Sequence, residues 1–140
     1  MTVRPAYTTD QLLESMPLAV TLGVRLDTAE PAEVVGHLDH SAALTTLGGA
    51  LHGGALMTLA DSVGAVCAFL NLPPDATTTT LESKTNFLRA VREGTVRATA
   101  CPLHTGRTSI VVQTDLHDDA GRHIARTTQT QAVLPAGPRD

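Results

Sequence analysis

The chain has 140 residues, of which 42% are apolar and 17% charged, and its formal net charge is −4. This length suits one domain with a single core, and the apolar fraction excludes intrinsic disorder. The acidic balance and the presence of one tyrosine, two phenylalanines and no tryptophan argue against a nucleic-acid surface, which needs clustered basic residues or stacking aromatic rings.

The cysteine content and hydropathy are typical of a cytoplasmic protein. The two cysteines, Cys67 and Cys101, form no CxxC motif, so we expect free thiols in a reducing compartment. Residues 1–10 lack the basic and apolar regions of a secretory signal. No apolar run approaches the roughly 20 residues of a membrane span, so we expect no membrane partner.

The first forty residues predict a short helix and two strands. The helix is expected over 9–16, capped by Thr9 or Asp10 and ending before Pro17. Apolar residues at 20, 22, 24 and 26 then alternate with other residue types, which is the period of a half-buried strand. A turn at 29–31 and renewed alternation over 33–40 predict a second, antiparallel strand.

A weakly charged segment follows. Between Asp39 and Asp75 lie 35 residues, and only Asp61 among them is charged. Their apolar spacing predicts a helix that ends near Leu70, about 25 Å long. The face around Asp61 carries small residues where an exposed helix would carry several charges. We therefore expect that face to be buried, by the sheet or by a second subunit.

The rest of the chain alternates again. Four further strands are expected, over 77–89, 95–101, 107–116 and 122–134, and residues 135–140 have the composition of a frayed tail. Short connections favour antiparallel neighbours. The order strand, strand, long helix, four strands predicts an α+β fold in which one helix packs on one sheet. We expect one domain over 1–140, with its core at about 16–134.

The long helix and its start hold the best candidates for chemistry. A carboxylate such as Asp61 on a buried helix face is costly unless it is paired or used, although it could simply bond neighbouring backbone or serine groups. Gly53 and Gly54 leave backbone N–H groups open at the positive end of the helix dipole, which suits an oxyanion. They could also merely permit a tight turn. His52 could orient the loop, donate to a substrate or cap the turn, and we favour a structural role.

Other catalytic and metal motifs are missing from the sequence. It contains no GxSxG, GxxxxGK[ST] or GxGxxG motif, so a serine triad or a phosphate loop has no local support. His37 and His40 are three residues apart on a predicted strand and therefore face opposite sides, which is poor geometry for a shared metal. We expect no metal site. The three later histidines read as surface residues near turns: His104, His117 and His123.

Basic and hydroxyl side chains recur at the ends of predicted strands. Arg89 and Arg92 end one strand, and Arg107 and Thr108 follow the turn after another. A guanidinium fork matches phosphate oxygens. These residues could hold phosphates or could be ordinary solvated side chains.

Taken together, the motifs resemble those of hotdog-fold acyl-CoA thioesterases. Their HGG…LA(D/E) signature is matched by LHGGA at 51–55 and LADS at 59–62. The segments RAVREG at 89–94 and PLHTG at 102–106 resemble the branch that acts on aromatic acyl-CoAs, including 4-hydroxybenzoyl-CoA and 1,4-dihydroxy-2-naphthoyl-CoA, with the PaaI-like phenylacetate-pathway enzymes as close relatives. The likeness spans about 16–134. It implies a curved antiparallel sheet of about six strands wrapped around one helix.

The resemblance also implies an activity, an assembly and site residues. The expected activity is hydrolysis of an acyl-CoA thioester, aromatic or medium-chain, without a cofactor, in a homodimer that shares two active sites and often pairs into a tetramer. Asp61 would face the thioester carbonyl as nucleophile or as base for water, Gly53 of the partner subunit would donate its N–H, and His52 would support the loop. The expected substrate contacts are Gly54, Met57, Ala65, Ala68, Thr80, Arg89, His104, Arg107 and Thr108.

Two departures from the family pattern keep alternatives open. The family usually has Asn or Gln six residues before the histidine, where this chain has Thr46, a shorter side chain that we nevertheless include in the catalytic set. The aromatic branch commonly has Glu with a hydroxyl one turn later, and here those positions are Asp61 and Ala65. One alternative is a thioesterase or dehydratase for carrier-linked acyl or polyketide chains. Another is a non-catalytic acyl-CoA-binding protein, which Thr46 would favour.

Overall fold

The computed structural model describes residues 6–137, which form one antiparallel sheet and one long helix. A single 3-10 turn, Ala42–Leu44, precedes the long helix. The helices and strands, in chain order, are α1 (Thr9–Glu14), α2 (Pro17–Leu22), β1 (Arg25–Glu30), β2 (Glu33–Asp39), α3 (Gly53–Leu70), β3 (Ala76–Phe87), β4 (Thr95–Thr105), β5 (Ser109–His117) and β6 (His123–Pro135). This arrangement confirms the predicted α+β fold.

The order of the strands places β3 at an edge. Within the described chain the six strands follow the order β1-β2-β4-β5-β6-β3, and each neighbouring pair is antiparallel. β3 pairs with β6 from Ala76 opposite Pro135 to Phe87 opposite Ala125, with a register shift between Thr80 and Glu82. The other edge of β3, twelve residues long, has no partner strand in residues 6–137.

Helix α3 supplies the centre of the core. It contacts all six strands, and Leu59, Val63 and Cys67 on its inner face are fully buried. By length and mean hydropathy, 1.6 over 18 residues, α3 could cross a membrane. A core helix meets the same two criteria, and more than half of α3 is buried inside the fold.

The first predicted strand was wrong at its start, because residues 17–22 form α2. Pro17 occupies the first turn of this helix, where its fixed φ and missing N–H cost nothing. Gly23, at φ 88°, ends the helix in the left-handed conformation. The N–H groups of Gly23 and Val24 donate to the carbonyls of Val20 and Ala19, both at 3.0 Å, which is the Schellman pattern. Apolar alternation over so short a run does not distinguish a strand from a helix with an apolar flank.

The ends of several elements also differ from the prediction. Thr8, rather than Thr9 or Asp10, caps α1, because its hydroxyl accepts from the Gln11 N–H and Gln11 returns a bond to the Thr8 N–H. β4 continues past residue 101, through a register shift between Pro102 and His104, to Thr105. In the predicted tail, Pro135 belongs to β6 and the Ala136 N–H donates to the Asp75 carbonyl at 2.9 Å. Residues 1–5 and 138–140 lie outside the described residues.

Candidate active site

The start of α3 is organised by His52. Its side-chain Nδ1 accepts from the Gly54 N–H at 2.8 Å, and its carbonyl accepts from the N–H groups of Ala55 and Leu56 at 2.9 and 3.2 Å. His52 therefore caps the helix, which is one of the roles that the sequence left open for it.

These bonds leave the Gly53 N–H open. Of the first four N–H groups of α3, those of Gly54, Ala55 and Leu56 are bonded to His52, and the Gly53 N–H has no acceptor among residues 6–137. The helix dipole adds roughly half a positive charge at this end. The Phe87 ring packs over the glycine, since a Cβ at residue 53 would lie 3.2 Å from Phe87 Cζ. The arrangement offers one N–H donor to an incoming oxygen.

Thr46 lies in the loop that leads into α3. Its backbone closes a turn, in which the Thr46 N–H donates to the Ala50 carbonyl at 2.8 Å and the Gly49 N–H donates to the Thr46 carbonyl at 3.1 Å. A bridge between Thr45 and Leu51 ties the loop to the residues just before the helix. Thr46 is exposed. Thr46 therefore belongs to the loop that precedes α3, and we call Thr46, His52 and Gly53 together the helix-start site.

Asp61 lies farther along α3 and lines an open cavity. The cavity has a volume of about 330 Å³, and its wall is mostly apolar. We call it the Asp61 cavity. Its lining residues come from the segment before α2, from α2 and α3, and from β3: Met16, Leu18, Ala19, Met57, Thr58, Asp61, Ser62 and Ser83.

The Asp61 carboxyl is partly desolvated although its side chain reaches solvent. This desolvation raises the pKa of Asp61 above the usual range, and a hydrogen bond from Gln129 Nε2 to Oδ1, 3.2 Å long, opposes part of that rise. Asp61 is the only ionisable residue among those that line the cavity. A carboxylate without a countercharge beside an apolar cavity is more basic than one in water, which suits it to take a proton.

The helix-start site and the Asp61 cavity are separate within one chain. Gly53 and Asp61 are eight residues apart in the same helix, or about 12 Å at 1.5 Å per residue. A carbonyl oxygen bound to the Gly53 N–H of one chain is therefore out of reach of Asp61 in that chain. If the two groups act on one carbonyl, they must come from different chains.

The residues expected around the acyl group fall in three places. Met57 lines the Asp61 cavity. Ala65 lines a second cavity of about 350 Å³ between α1 and α3, where Tyr7 and Phe69 contribute an aromatic pair. Met16 lines both cavities. Ala68 is fully buried in the core and lines neither of them.

The residues expected to contact phosphates are not all together. His104, Arg107 and Thr108 lie at the β4–β5 turn, beside the far end of β6, where the Thr108 carbonyl accepts from the Val133 N–H at 3.0 Å. Arg89 lies beside the start of β6, and its N–H donates to the Ile124 carbonyl at 3.2 Å. Nine residues of strand separate these two points, or about 30 Å. One chain therefore cannot bring both sets to the same phosphate.

Several other polar residues singled out in the sequence have local partners. Thr80, on β3, accepts at its hydroxyl from Gln131 Nε2 at 2.8 Å. His37 pairs with Asp27, His40 with the Gly49 carbonyl and His123 with Asp115. No three His, Cys, Asp or Glu side chains of residues 6–137 group as metal ligands.

The two cysteines are free, as predicted. Burial raises the pKa of the Cys67 thiol to about 12. A thiol in that state stays protonated and is a poor nucleophile.

Comparison with known proteins decides the family. Residues 48–125, which include α3 with Asp61 and strands β3 to β5, match the Thioesterase superfamily. The chain belongs to this superfamily. The resemblance to hotdog-fold thioesterases is thereby confirmed.

Two curated relatives and one solved structure show how similar this thioesterase-superfamily chain is to known proteins. The chain is 38% identical over 86 residues to the 1,4-dihydroxy-2-naphthoyl-CoA hydrolase of Escherichia coli, covering 61% of the chain and 63% of the relative. It is 37% identical over 121 residues to ComA2 of Bacillus subtilis, covering 84% and 94%. The chain spans about three fifths of the length of the first curated relatives that it matches. A solved variant of a Pseudomonas aeruginosa thioesterase superposes with a TM-score of 0.87 at 30% identity, covering 94% and 97%.

The structure adds site residues that were not predicted from the sequence, among them Met16, Ser83 and Gln129. Met16 precedes a helix that the alternation pattern hid. Ser83 and Gln129 come from strands whose register with α3 the sequence does not define. One signal for Gln129 was present, because the inward positions of β6 include a run of polar residues, Thr127, Gln129 and Gln131, where a core strand normally has apolar ones.

Proposed function

We propose that this thioesterase-superfamily protein hydrolyses a thioester of coenzyme A with an aromatic or medium-chain acyl group, releasing the free acid and CoA. The observation that carries the proposal is Asp61, a carboxylate of raised pKa that lines a mostly apolar cavity and has no charged neighbour there. The open Gly53 N–H at the positive end of α3 supplies the second group that acyl transfer needs, a donor for the oxyanion.

The chemistry follows from the two groups. With Asp61 as base, the carboxylate takes a proton from water as the water oxygen bonds to the thioester carbon. Breaking the carbon–sulfur bond then releases the thiolate, which takes up the proton. With Asp61 as nucleophile, its oxygen displaces the thiolate and water hydrolyses the resulting anhydride. In both routes the carbonyl oxygen becomes negative, and the Gly53 N–H stabilises it.

A second copy of the chain completes the proposed site. The separation of about 12 Å between Gly53 and Asp61 requires the donor to come from another subunit. The free edge of β3 supports pairing with a copy, because a long unpaired edge strand with exposed apolar side chains is a place where chains associate. Leu81 on this strand and Phe87 and Leu88 at its end are exposed by 67%, 50% and 54%. Assembly of two such dimers into a tetramer stays a prediction.

The dimensions of the Asp61 cavity favour a compact acyl group. Its volume of about 330 Å³ is at the lower end for small-molecule sites. Met16 lines both this cavity and the second one, and a ring or a medium chain matches the volume on the Asp61 side. The free cysteines support action in the cytoplasm, where thiols remain reduced.

The substrate proposal is tested with a panel of thioesters. Release of free thiol is measured for aromatic and aliphatic acyl-CoAs and for the same acyl groups on a carrier protein. We expect an aromatic or medium-chain acyl-CoA to give the highest kcat/KM. Preference for the carrier-bound forms would favour the carrier-linked enzyme. Tight binding of every acyl-CoA without thiol release would favour the non-catalytic protein.

Thr46 provides a separate prediction. Its short hydroxyl side chain stands where the resemblance calls for an amide, at the helix-start site. We expect Thr46→Gln to raise kcat on the best substrate by about tenfold, as one added hydrogen bond to charge that develops in the transition state would. Thr45→Gln, one residue earlier in the same loop, is the matched control and is expected to give no gain. A loss of rate in Thr46→Gln would show that the threonine is itself the adapted residue.

A further inference from the structure

Gln129 of β6 is a buried side chain that reaches the reacting carboxylate. It is fully buried, and its Nε2 donates to Asp61 Oδ1 at 3.2 Å across 68 positions of sequence. No role for this residue follows from the signature of α3. From the geometry around it we propose that Gln129 is a positioning residue, which holds the Asp61 carboxylate in the orientation and charge state that thioester hydrolysis requires. The proposal rests on the function proposed for Asp61.

The unequal pairing of the Gln129 amide supports this role. An ionised carboxylate only accepts hydrogen bonds, so Gln129 must present its NH₂ group to Asp61. Its Oε1 is then buried without a hydrogen-bond partner among residues 6–137. Buried polar atoms are normally paired. Asp61 is therefore the one described hydrogen-bond partner of the Gln129 amide.

The next inward residue of β6 shows the contrasting case. Gln131 is also buried, but both ends of its amide are paired. Its Nε2 donates to the Thr80 hydroxyl at 2.8 Å, and its Oε1 lies 3.2 Å from the Thr78 hydroxyl, which shares its one hydrogen between this oxygen and the Ala132 carbonyl at 2.9 Å. Gln131 thus ties β6 to β3, as a structural glutamine does. The two residues lie on one face of one strand and form a natural comparison.

Gly64 makes the approach of Gln129 possible. A Cβ at residue 64 would lie 2.8 Å from Gln129 Cδ and 3.2 Å from Thr114 Oγ1, so any larger residue would displace the amide. Glycine inside a helix is unfavourable compared with alanine. Its presence one turn after Asp61 keeps the space through which the amide reaches the carboxylate.

No charged side chain of residues 6–137 lines the Asp61 cavity besides Asp61 itself, so the hydrogen bond from Gln129 influences the charge state of Asp61 directly. The remaining side chains that line the Asp61 cavity, from α2, α3, β3 and the segment before α2, are all uncharged. From the inner face of the sheet, Gln129 and Thr114 reach the same stretch of α3, and both are neutral. Desolvation raises the pKa of Asp61, and the Gln129 bond is the one opposing influence on it. Since the bond favours the charged form, its loss raises that pKa further.

The test compares pH profiles of kcat/KM for the natural protein, Gln129→Met, Gly64→Ala and the control Gln131→Met. Activity needs ionised Asp61, so it rises with pH through the Asp61 pKa. We expect this acidic limb to move up by about 0.5–1 pH unit in Gln129→Met and in Gly64→Ala, as the loss of one hydrogen bond to a carboxylate predicts. We expect kcat on the plateau to fall by about tenfold with little change in KM. Gln131→Met should leave the acidic limb in place.

The outcomes separate this inference from the function on which it rests. An unmoved acidic limb in both Gln129→Met and Gly64→Ala, or an equal movement in Gln131→Met, overturns the positioning role. Thermal unfolding shows whether Gln129→Met folds. If it does not, the position of the acidic limb in the Gly64→Ala profile tests the positioning role instead, because that variant displaces the amide without removing it. Full turnover by Asp61→Asn would instead overturn the proposed function.

Discussion

Asp61→Asn is expected to lower kcat on the best thioester substrate by about 10²–10⁴-fold, the usual contribution of a general base. The amide has the shape of the carboxyl but cannot accept a proton from water or attack a carbonyl. Because the side chain lines an open cavity and has no charged partner among the residues around it, the substitution removes no ion pair. We therefore expect the thermal unfolding midpoint to stay the same or to rise, while thiol release almost stops.

Asp61→Glu is the matched control for this loss. It keeps the carboxylate but moves it outward by one methylene group, and the aromatic branch that the chain resembles commonly uses Glu at this position. We expect it to retain far more activity than Asp61→Asn. Unchanged turnover in Asp61→Asn would make Asp61 a structural residue and would contradict the mechanism.

Replacing Gly53 by proline is expected to cost about 10²–10³ in kcat relative to replacing it by alanine, the usual effect of losing one oxyanion donor. Proline removes the N–H, whereas alanine keeps it. The backbone suits the change, because residue 53 is the first of α3, where proline is favoured. The preceding His52 is extended, at φ −61° and ψ 135°, as a residue before proline must be.

Alanine serves as the control in this pair because both variants place a Cβ against the Phe87 ring, 3.2 Å from Cζ. The steric cost is therefore shared, and the missing N–H is the main remaining difference. Thermal unfolding of both variants checks that the helix still starts at residue 53. Equal kcat values for the proline and alanine variants would show that the Gly53 N–H does not bind the substrate oxygen.

Long, regular patterns allowed much of the fold to be predicted from the sequence. The apolar spacing over α3 and the alternation over β2 to β6 each persist long enough for one period to dominate. The segment that forms α2 is six residues long, and its alternating apolar residues fit a strand as well as a helix. There the proline at its start and Gly23 after its end decided the structure, and these are the signals that the prediction missed.

The candidate site was predictable where its residues are close in sequence. His52, Gly53 and Asp61 lie within ten consecutive residues, so the helix period alone places them. Gln129 reaches Asp61 from 68 residues away, and that contact depends on the register of β6, which sequence spacing does not fix. For Arg89 and Arg107 the prediction of a shared phosphate contact failed within one chain. Both residues lie near strand ends, but antiparallel pairing places them at opposite ends of β6.

Complementation between two inactive variants tests the shared site most directly. Asp61→Asn and Gly53→Pro chains, carrying different tags, are unfolded together and refolded, and pull-down on both tags confirms mixed dimers. A mixed dimer has one site with both groups intact and one with neither. With random association about half of the dimers are mixed, and each of these has one intact site out of two. We therefore expect about a quarter of the natural activity per chain. Activity no greater than the sum of the two variants measured alone would show that Asp61 and Gly53 do not act across a subunit interface.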